Sequence, residues 1–237
     1  MSGTDGSVVF LHPIGLDRNV WSGVLPPGAV ALDFPGFGEA AAAGTVSMAG
    51  LAEYVVGQLS EPATLVGMSL GGMVAQQVAV REPAAVRSLV VACSNPASDP
   101  RVMRERAAAA RAGGMAGVLD ITLDRWFTPE ALAEPGHPGV EYARRRLLAD
   151  DPEVFAGYWA AMAGHDVKDQ LGSIKVPATF IAGARDKASS LPVLRGMADA
   201  VPGGVLRVVD GPHMLTLENP GEFSAVLSEH LDRVRGS

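Results

Sequence analysis

Residues 67–71 read Gly-Met-Ser-Leu-Gly, a G-x-S-x-G motif whose serine, Ser69, could act as a nucleophile. An apolar run at 63–66 precedes the motif, and a helical pattern at 72–81 follows it. A strand, a tight turn and a helix with serine at the apex form a nucleophile elbow. The turn is too sharp for flanking side chains, which explains the glycines. The short motif also occurs in ordinary turns with a solvated serine. The prediction that Ser69 is catalytic therefore depends on the strand before the motif and the helix after it.

An activated serine requires a general base and an acid that orients the base. His213 is the predicted base, because it follows the last apolar run and therefore lies at the same sheet edge as Ser69. Asp186 is the predicted acid, because it follows the apolar run at 178–182. The alternative is that Asp186 only forms a turn. Asp99 is the reserve acid, while Asp210 lies too close in sequence to His213 to be its partner.

The other four histidines are interpreted as lying outside this group. His12 follows the first apolar run and is given an architectural role. His137 and His165 belong to the middle of the chain, which reads as helical. His230 is interpreted as a solvated side chain inside the last helix.

These residue types predict acyl transfer to Ser69. His213 would take the serine proton, the serine would attack an ester or lactone carbonyl, and water would then release the acid. The oxyanion that forms needs two backbone N–H donors. One is the N–H of Leu70 at a helix start, where negative charge is favoured. The other is that of Ile14, because Pro13 before it has no N–H. This chemistry requires neither a cofactor nor a metal.

The composition argues against several functional classes. The chain has 237 residues, of which 48% are hydrophobic, and a formal net charge of −7. A nucleic-acid or anionic-membrane partner would require a basic surface instead. The only cysteine, Cys93, excludes an intramolecular disulfide and is interpreted as a buried, inert thiol. The sequence shows no signal-peptide pattern and no apolar segment of about 20 residues, so we expect a cytoplasmic protein.

Six short apolar runs without polar alternation predict strands that are buried on both faces, as in a parallel sheet. They lie at 8–11, 29–32, 63–66, 88–92, 178–182 and 205–209. Helical patterns separate most of them, at 46–59, 72–81, 191–200 and 220–235. Asn219 is the predicted cap of the last helix, with Pro220 in its first position. Alternating strands and helices predict an α/β fold with a doubly wound sheet.

The sequence shows no strand-like apolar run between residues 97 and 170. Four helical patterns occur there instead, at 101–112, 115–126, 140–149 and 153–163. We expect this stretch to be a helical cap inserted over the edge of the sheet. The core domain would then comprise residues 1–96 and 171–237. The alternative is that these helices pack on the core without a role at the site.

With these residues placed, the chain resembles the α/β-hydrolase superfamily and, within it, the 3-oxoadipate enol-lactonases. The order Ser69, Asp186, His213 is that of the superfamily. Its general motifs are L-H-x-x-G at 11–15, D-x-P-G-x-G at 33–38, G-x-S-x-G-G-M at 67–73, G-x-x-D at 183–186 and G-x-H at 211–213. The more particular ones are G-L-D-R-x-x-W at 15–21, R-A-G-G-M at 111–115, R-W-F-T-P at 125–129 and D-P-E at 151–153.

The resemblance implies hydrolysis of an anionic lactone without a cofactor. A cap arginine with aromatic neighbours suits a carboxylate and an apolar ring, so Arg125 and Trp126 are the expected substrate contacts. Their ordinary interpretation is an exposed helix arginine and a core tryptophan. Family members usually begin with two antiparallel strands, which we expect to be missing before Val8. The edge that they leave exposed would favour a homodimer or a covering segment. In the oxyanion loop of the family a glycine usually follows the histidine, whereas here Pro13 follows His12.

Several activities share this arrangement. A general carboxylesterase, a C–C bond hydrolase and a perhydrolase all use the same triad. Epoxide hydrolases and haloalkane dehalogenases are set aside, because their nucleophile is an aspartate and position 69 is a serine. A hydrolase-fold receptor for a small molecule is the alternative outside the enzymes, although such a receptor would not need all three triad residues.

Overall fold

Six strands pair in one parallel sheet in the computed structural model, which describes residues 7–42 and 44–236. The strands are β1 (Val8–Leu11), β2 (Val30–Leu32), β3 (Ala63–Met68), β4 (Val86–Ala92), β5 (Ala178–Gly183) and β6 (Val205–Val209). Their order across the sheet is β2-β1-β3-β4-β5-β6. Each predicted apolar run matches one strand, although β2 begins one residue later than predicted, at Val30. The predicted α/β fold with a parallel sheet is therefore confirmed.

The register of the sheet brings the carboxyl ends of its strands to one edge. Leu11 at the end of β1 pairs with Gly67 in β3, and Ala92 at the end of β4 pairs with Ile181 in β5. Every residue of β3 and β5 is buried, which accounts for their continuous apolar sequences. The edge strands β2 and β6 are partly exposed. The loops that carry functional side chains therefore start from a rigid, closely packed layer.

Residues 7–42 and 44–236 contain nine α-helices, which flank the sheet or follow its strands. They are α1 (Met48–Gly57), α2 (Leu70–Arg81), α3 (Pro100–Trp126), α4 (Pro129–Ala133), α5 (Pro138–Ala149), α6 (Pro152–Met162), α7 (Leu191–Ala200), α8 (Leu215–Glu218) and α9 (Pro220–Arg235). Within the described part of the chain, no helix is both long and apolar enough to cross a lipid bilayer.

The helices α3 to α6 all lie between β4 and β5, where the sequence predicts helices without strands. The two patterns predicted at 101–112 and 115–126 form one helix that is broken at Gly114, whose φ is 62°. Thr128 caps α4, and Pro129 is its first residue. A proline in the first helical position is favourable because its missing N–H would have no partner there. The division into a core domain and a cap stays a prediction.

The predicted cap of α9 is wrong. Asn219 occupies the N-cap position, just before the first helical residue, but its side chain accepts no hydrogen bond from the helix backbone. Its amide nitrogen instead donates to the carbonyl oxygen of Asp210 at 2.9 Å. Asn219 thus fixes the loop after β6, while Pro220 starts the helix. The predicted absence of strands before β1 concerns residues 1–6, which lie outside the described residues.

The interpretation of His230 as solvated is also wrong. Its ring is buried between the helix α9 and the sheet, with Nδ1 2.8 Å from Thr179 Oγ1 and Nε2 3.0 Å from Ser88 Oγ. Burial and, to a lesser extent, the charge of Arg233 lower the pKa of His230 to about 4. The imidazole is therefore neutral in the folded protein and becomes charged on unfolding below about pH 6.5.

Because it contains buried, neutral histidines, we expect the protein to be less stable in mild acid than at neutral pH. The pKa values of His12 and His165 are also lowered to about 4, mainly by burial. The unfolded chain binds these protons below about pH 6.5 and the folded chain does not, so the free energy of unfolding decreases as the pH falls towards 4. Between pH 7 and pH 5 each histidine should contribute a loss of about 2 kcal/mol.

Denaturant titrations of the wild type and His230→Gln at pH 7 and pH 5 test this expectation. The variant should be less stable at pH 7, but it should lose about 2 kcal/mol less than the wild type on going to pH 5. An identical loss in the two proteins would show that His230 is not neutral in the fold.

Candidate active site

Ser69 lies at the turn between β3 and α2 in a strained backbone conformation, with φ 55° and ψ −116°. Its N–H donates to the carbonyl oxygen of Ala92, and its own carbonyl accepts from Ser94 Oγ at 2.8 Å. The following residue, Leu70, is the first of α2. The N–H groups of a helix's first turn have no partner within the helix, so the N–H of Leu70 is available at a site of positive potential.

The glycines around Ser69 are required by close backbone approach. A Cβ atom on Gly67 would lie 2.3 Å from the carbonyl oxygen of Gly71, and one on Gly71 would lie 1.9 Å from that of Leu11. Real Cβ atoms essentially never approach backbone this closely. The turn predicted from the G-x-S-x-G motif is therefore present, and its glycines allow α2 to pack against the end of β1.

His213 and Asp186 form a buried hydrogen-bonded pair on the loops after β6 and β5. His213 Nδ1 lies 2.9 Å from one carboxylate oxygen of Asp186 and 3.1 Å from the other. Asp186 Oδ1 also accepts from the backbone N–H groups of Ala188 and Ser189. Arg185, which precedes Asp186 in the sequence, forms an ion pair with Asp210 at 3.2 Å and not with Asp186.

The electrostatics of this pair set the tautomer of His213. Burial raises the pKa of Asp186, but the charge of His213 and the hydrogen bonds from His213, Ala188 and Ser189 outweigh burial and lower it. An ionised carboxylate only accepts hydrogen bonds, so Nδ1 of His213 must donate. The other ring nitrogen, Nε2, is then left as the acceptor that a general base requires.

A cavity of about 260 Å³ joins the predicted site residues. Ser69 and His213 both line it, as do Ile14, Arg125 and Trp126. Asp186 lies behind His213, and Leu70 lies behind Ser69 at the start of α2. The fold thus brings together residues from the whole length of the chain, and both predicted substrate contacts face the same space as the serine.

The loop after β1 is held by His12. Its Nδ1 lies 2.7 Å from the carbonyl oxygen of Pro13, and its Nε2 accepts from the N–H of Phe34 at 2.9 Å. Burial lowers the pKa of His12 to about 4, so the ring is neutral and can accept the second bond. His12 therefore has the architectural position that the sequence predicts, and it orients the segment that carries Ile14.

Arg106 is a cavity residue that no sequence pattern singled out. It lines the same cavity as Ser69, and its guanidinium carbon lies 4.7 Å from the centre of the Trp159 ring. The signal in the sequence is helical spacing, because Val102, Arg106 and Ala109 fall on one face of α3 and together line an adjoining cavity. Arg106 could not be distinguished from other helix arginines without knowing which face covers the site.

Cys93 is buried beside the catalytic candidates, where burial raises the pKa of its thiol well above its usual range. Within the residues described, Cys93, Asp186 and His213 are the one group whose three potential metal-ligand atoms lie within 4.8 Å of one another. The donor set does not suit a metal, since the thiol is protonated and the other two groups are bound to each other. We assign no metal to it.

The remaining sequence candidates have other positions. Asp99 borders the cavity but accepts hydrogen bonds from two backbone N–H groups at the start of α3. His137 caps α5 by accepting from the N–H of Val140. His165 is buried, with its ring nitrogens near Gln77 and the carbonyl oxygen of Asn95.

Comparison with known proteins shows extended similarity. The family model described as the alpha/beta hydrolase family matches residues 8–226. A pimeloyl-acyl-carrier-protein methyl ester esterase of Chromobacterium violaceum is 27% identical, over 97% of this chain and 96% of its own length. The 3-oxoadipate enol-lactonase 1 of Acinetobacter baylyi is 26% identical, over 94% and 87%. The enol-lactonase structure from Burkholderia xenovorans LB400 superposes with a TM-score of 0.91 at 25% identity, over 97% and 92%.

Because the backbone at Gly71 lies so close to that of Leu11, we predict that adding one methyl group at Gly71 strongly reduces stability. Gly71→Ala should destabilise the protein by about 3 kcal/mol or more, because backbone atoms on both sides cannot move apart cheaply. Gly113→Ala is the matched control, since a Cβ atom there would meet nothing within 4 Å. That variant should be as stable as the wild type, or slightly more stable. Equal unfolding midpoints for the two variants in urea would contradict the packing described here.

Proposed function

We propose a serine-hydrolase mechanism for this chain, which belongs to the alpha/beta hydrolase family. Its similarity to esterases and enol-lactonases identifies it as a hydrolase of carboxylic esters or lactones. One observation carries the mechanism: a serine at a strained strand-to-helix turn and a histidine held by a buried carboxylate line the same cavity. We assign the roles of nucleophile, base and orienting acid to Ser69, His213 and Asp186.

The first half of the reaction acylates the serine. Nε2 of His213 accepts the proton of Ser69 Oγ as the oxygen attacks the carbonyl carbon of the substrate. The tetrahedral intermediate collapses, its bond to the leaving oxygen breaks, and that oxygen takes the proton from His213. Asp186 stabilises the imidazolium that exists between these two transfers. The product of this half is an acyl-enzyme with a free alcohol, or with a tethered one if the substrate is a lactone.

The second half returns the enzyme to its starting state. His213 takes a proton from a water molecule, whose oxygen attacks the acyl carbon, and the proton then passes to Ser69 as the acid leaves. The N–H groups of Leu70 and Ile14 are the proposed donors to the oxyanion in both halves. Leu70 contributes its N–H as the first residue of α2. Ile14 borders the cavity, and Pro13 before it has no N–H to donate. Loss of one such donor typically costs about 3–4 kcal/mol in the transition state.

The proposed substrate is a small anionic lactone of the 3-oxoadipate enol-lactone type. Arg125 and Trp126 line the cavity together, which supports a carboxylate next to an apolar ring. A cavity of about 260 Å³ also suits a small molecule. We further propose that the protein acts without a cofactor in the cytoplasm, and that either a homodimer or a covering segment protects the edge of the sheet.

A second candidate is hydrolysis of a longer ester, as in a general carboxylesterase. The observation that favours it is a second cavity of about 400 Å³, which shares Val102, Arg106, Arg125 and Trp159 with the first. A longer acyl chain could extend into this space. C–C bond hydrolases and perhydrolases remain alternatives with the same triad, and a receptor without turnover is the alternative outside the enzymes.

Replacement of the nucleophile tests the mechanism. Ser69→Ala should lower kcat for p-nitrophenyl acetate by about four orders of magnitude or more, because the nucleophile of the covalent pathway is lost. It should also abolish labelling by a fluorophosphonate probe, measured by mass spectrometry. Ser22→Ala, at an exposed position, is the control and should match the wild type in both assays. Labelling that persists in Ser69→Ala would move the nucleophile elsewhere, and a wild type without turnover would favour the receptor alternative.

A further inference from the structure

The cavity that contains Ser69 is lined by two guanidinium groups, those of Arg106 and Arg125, both on α3. Neither forms an ion pair with any residue that the structure describes. Arg125 donates one weak hydrogen bond, at 3.4 Å, to the carbonyl oxygen of Ile121 one helical turn earlier. Arg106 lies over the ring of Trp159 at 4.7 Å. Both side chains therefore keep most of their N–H donors free toward the cavity.

The acidic groups around the two arginines are engaged with other partners. Glu105 pairs with Arg101 at 3.0 Å, and Asp124 pairs with Lys187 at 2.8 Å. Asp99, which also borders the cavity, accepts from the backbone N–H groups that begin α3. Among the described residues, no carboxylate binds the two guanidinium groups directly and neutralises their charge.

Burial makes this arrangement costly without an anion. Burial and the like charge of Arg106 together lower the pKa of Arg125 to about 10, although the charge of Asp124 opposes them. Burial likewise lowers the pKa of Arg106. Two cations that repel each other in a partly dehydrated space gain most from a ligand that brings a negative charge between them. A carboxylate suits this position, because its two oxygens match the fork of donors on a guanidinium.

The arginines also occupy a defined position along the cavities. Arg106, Arg125 and Trp159 border both the inner cavity, which contains Ser69, and the outer cavity of about 400 Å³. A substrate whose carbonyl lies at Ser69 would place the other end of its acyl group near this junction. Trp126 and Trp159 supply apolar walls for the carbons between the two ends.

We propose that Arg106 and Arg125 form a clamp for a carboxylate at the far end of the acyl group, with Arg106 as a specificity-determining residue. The preferred substrates are then monoesters or lactones of dicarboxylic acids, in which one end is hydrolysed and the other is bound. The stacking of Arg106 on Trp159 holds its guanidinium in place before the substrate arrives, which reduces the entropy lost on binding. This inference rests on the proposed hydrolase mechanism and names its substrate class.

Monomethyl and dimethyl glutarate form the matched pair that tests the clamp. Both carry the same scissile methyl ester, and they differ only in one free carboxylate. The wild type should hydrolyse the monoester with a kcat/KM at least tenfold higher. Arg106→Gln and Arg125→Gln should each lower kcat/KM for the monoester at least tenfold, mainly through KM, and should lower that for the diester much less. Arg106→Lys should lie in between, since it keeps the charge but loses the fork.

Arg104→Gln is the control, because Arg104 is exposed on the same helix and borders neither cavity. It should leave both substrates unaffected. If the two arginines bind one carboxylate, the double variant should lose less than the product of the two single losses. Equal losses of monoester and diester hydrolysis in Arg106→Gln would assign Arg106 a merely structural role and overturn the clamp. Equal hydrolysis of the two substrates by the wild type would also overturn it.

A binding measurement separates this inference from the proposed mechanism. In Ser69→Ala, which cannot form an acyl-enzyme, glutarate should still bind by calorimetry, and adding Arg106→Gln should weaken the binding at least tenfold. Binding without any turnover by the wild type would refute the hydrolase mechanism and leave the anion clamp standing. Turnover of the diester by the wild type without binding of glutarate would refute the clamp and leave the mechanism standing.

Discussion

Parallel pairing of β3, β5 and β6 with their neighbours is the constraint on which the site depends. Strands that run in the same direction and in register end at the same edge, so the loops after them meet there. Ser69 follows β3, and Asp186 and His213 follow β5 and β6. The buried strands cannot shift along one another without exposing apolar side chains, and this rigidity is transmitted to the loops. Ser69 can therefore keep a fixed geometry with Asp186 and His213, although more than a hundred positions separate it from both.

Burial acts on the charged groups of the site in two different ways. Asp186 is buried but surrounded by donors, so it remains an anion that orients His213. Arg106 and Arg125 on α3 are partly buried and form no ion pair with an acid in the described part of the chain, so they retain an unsatisfied attraction for an anion. The first arrangement is complete within the protein, while the second is completed by a ligand. This difference separates the residues proposed to perform the reaction from those proposed to select the substrate.

Family membership and substrate choice depend on different parts of the chain. The elbow, the loop around His12 and the Asp186–His213 pair follow from the sheet, and the family similarity covers them. The cavity is closed by side chains from the helices between β4 and β5, including Arg106, Trp126 and Trp159. Since a common fold supports many activities, these helices are where esterases and lactonases of one family are expected to differ.

The sequence alone determined the six strands, because each is a short apolar run whose burial on both faces leaves no alternation. It also determined the order of Ser69, Asp186 and His213 and the glycines at the elbow, since these depend on local turns. The tertiary structure decided which helix faces meet the cavity and the sheet. Arg106 and His230 have ordinary helical spacing, and only long-range packing places one beside Trp159 and buries the other against Thr179. Such contacts join distant segments, and their partners leave no local pattern.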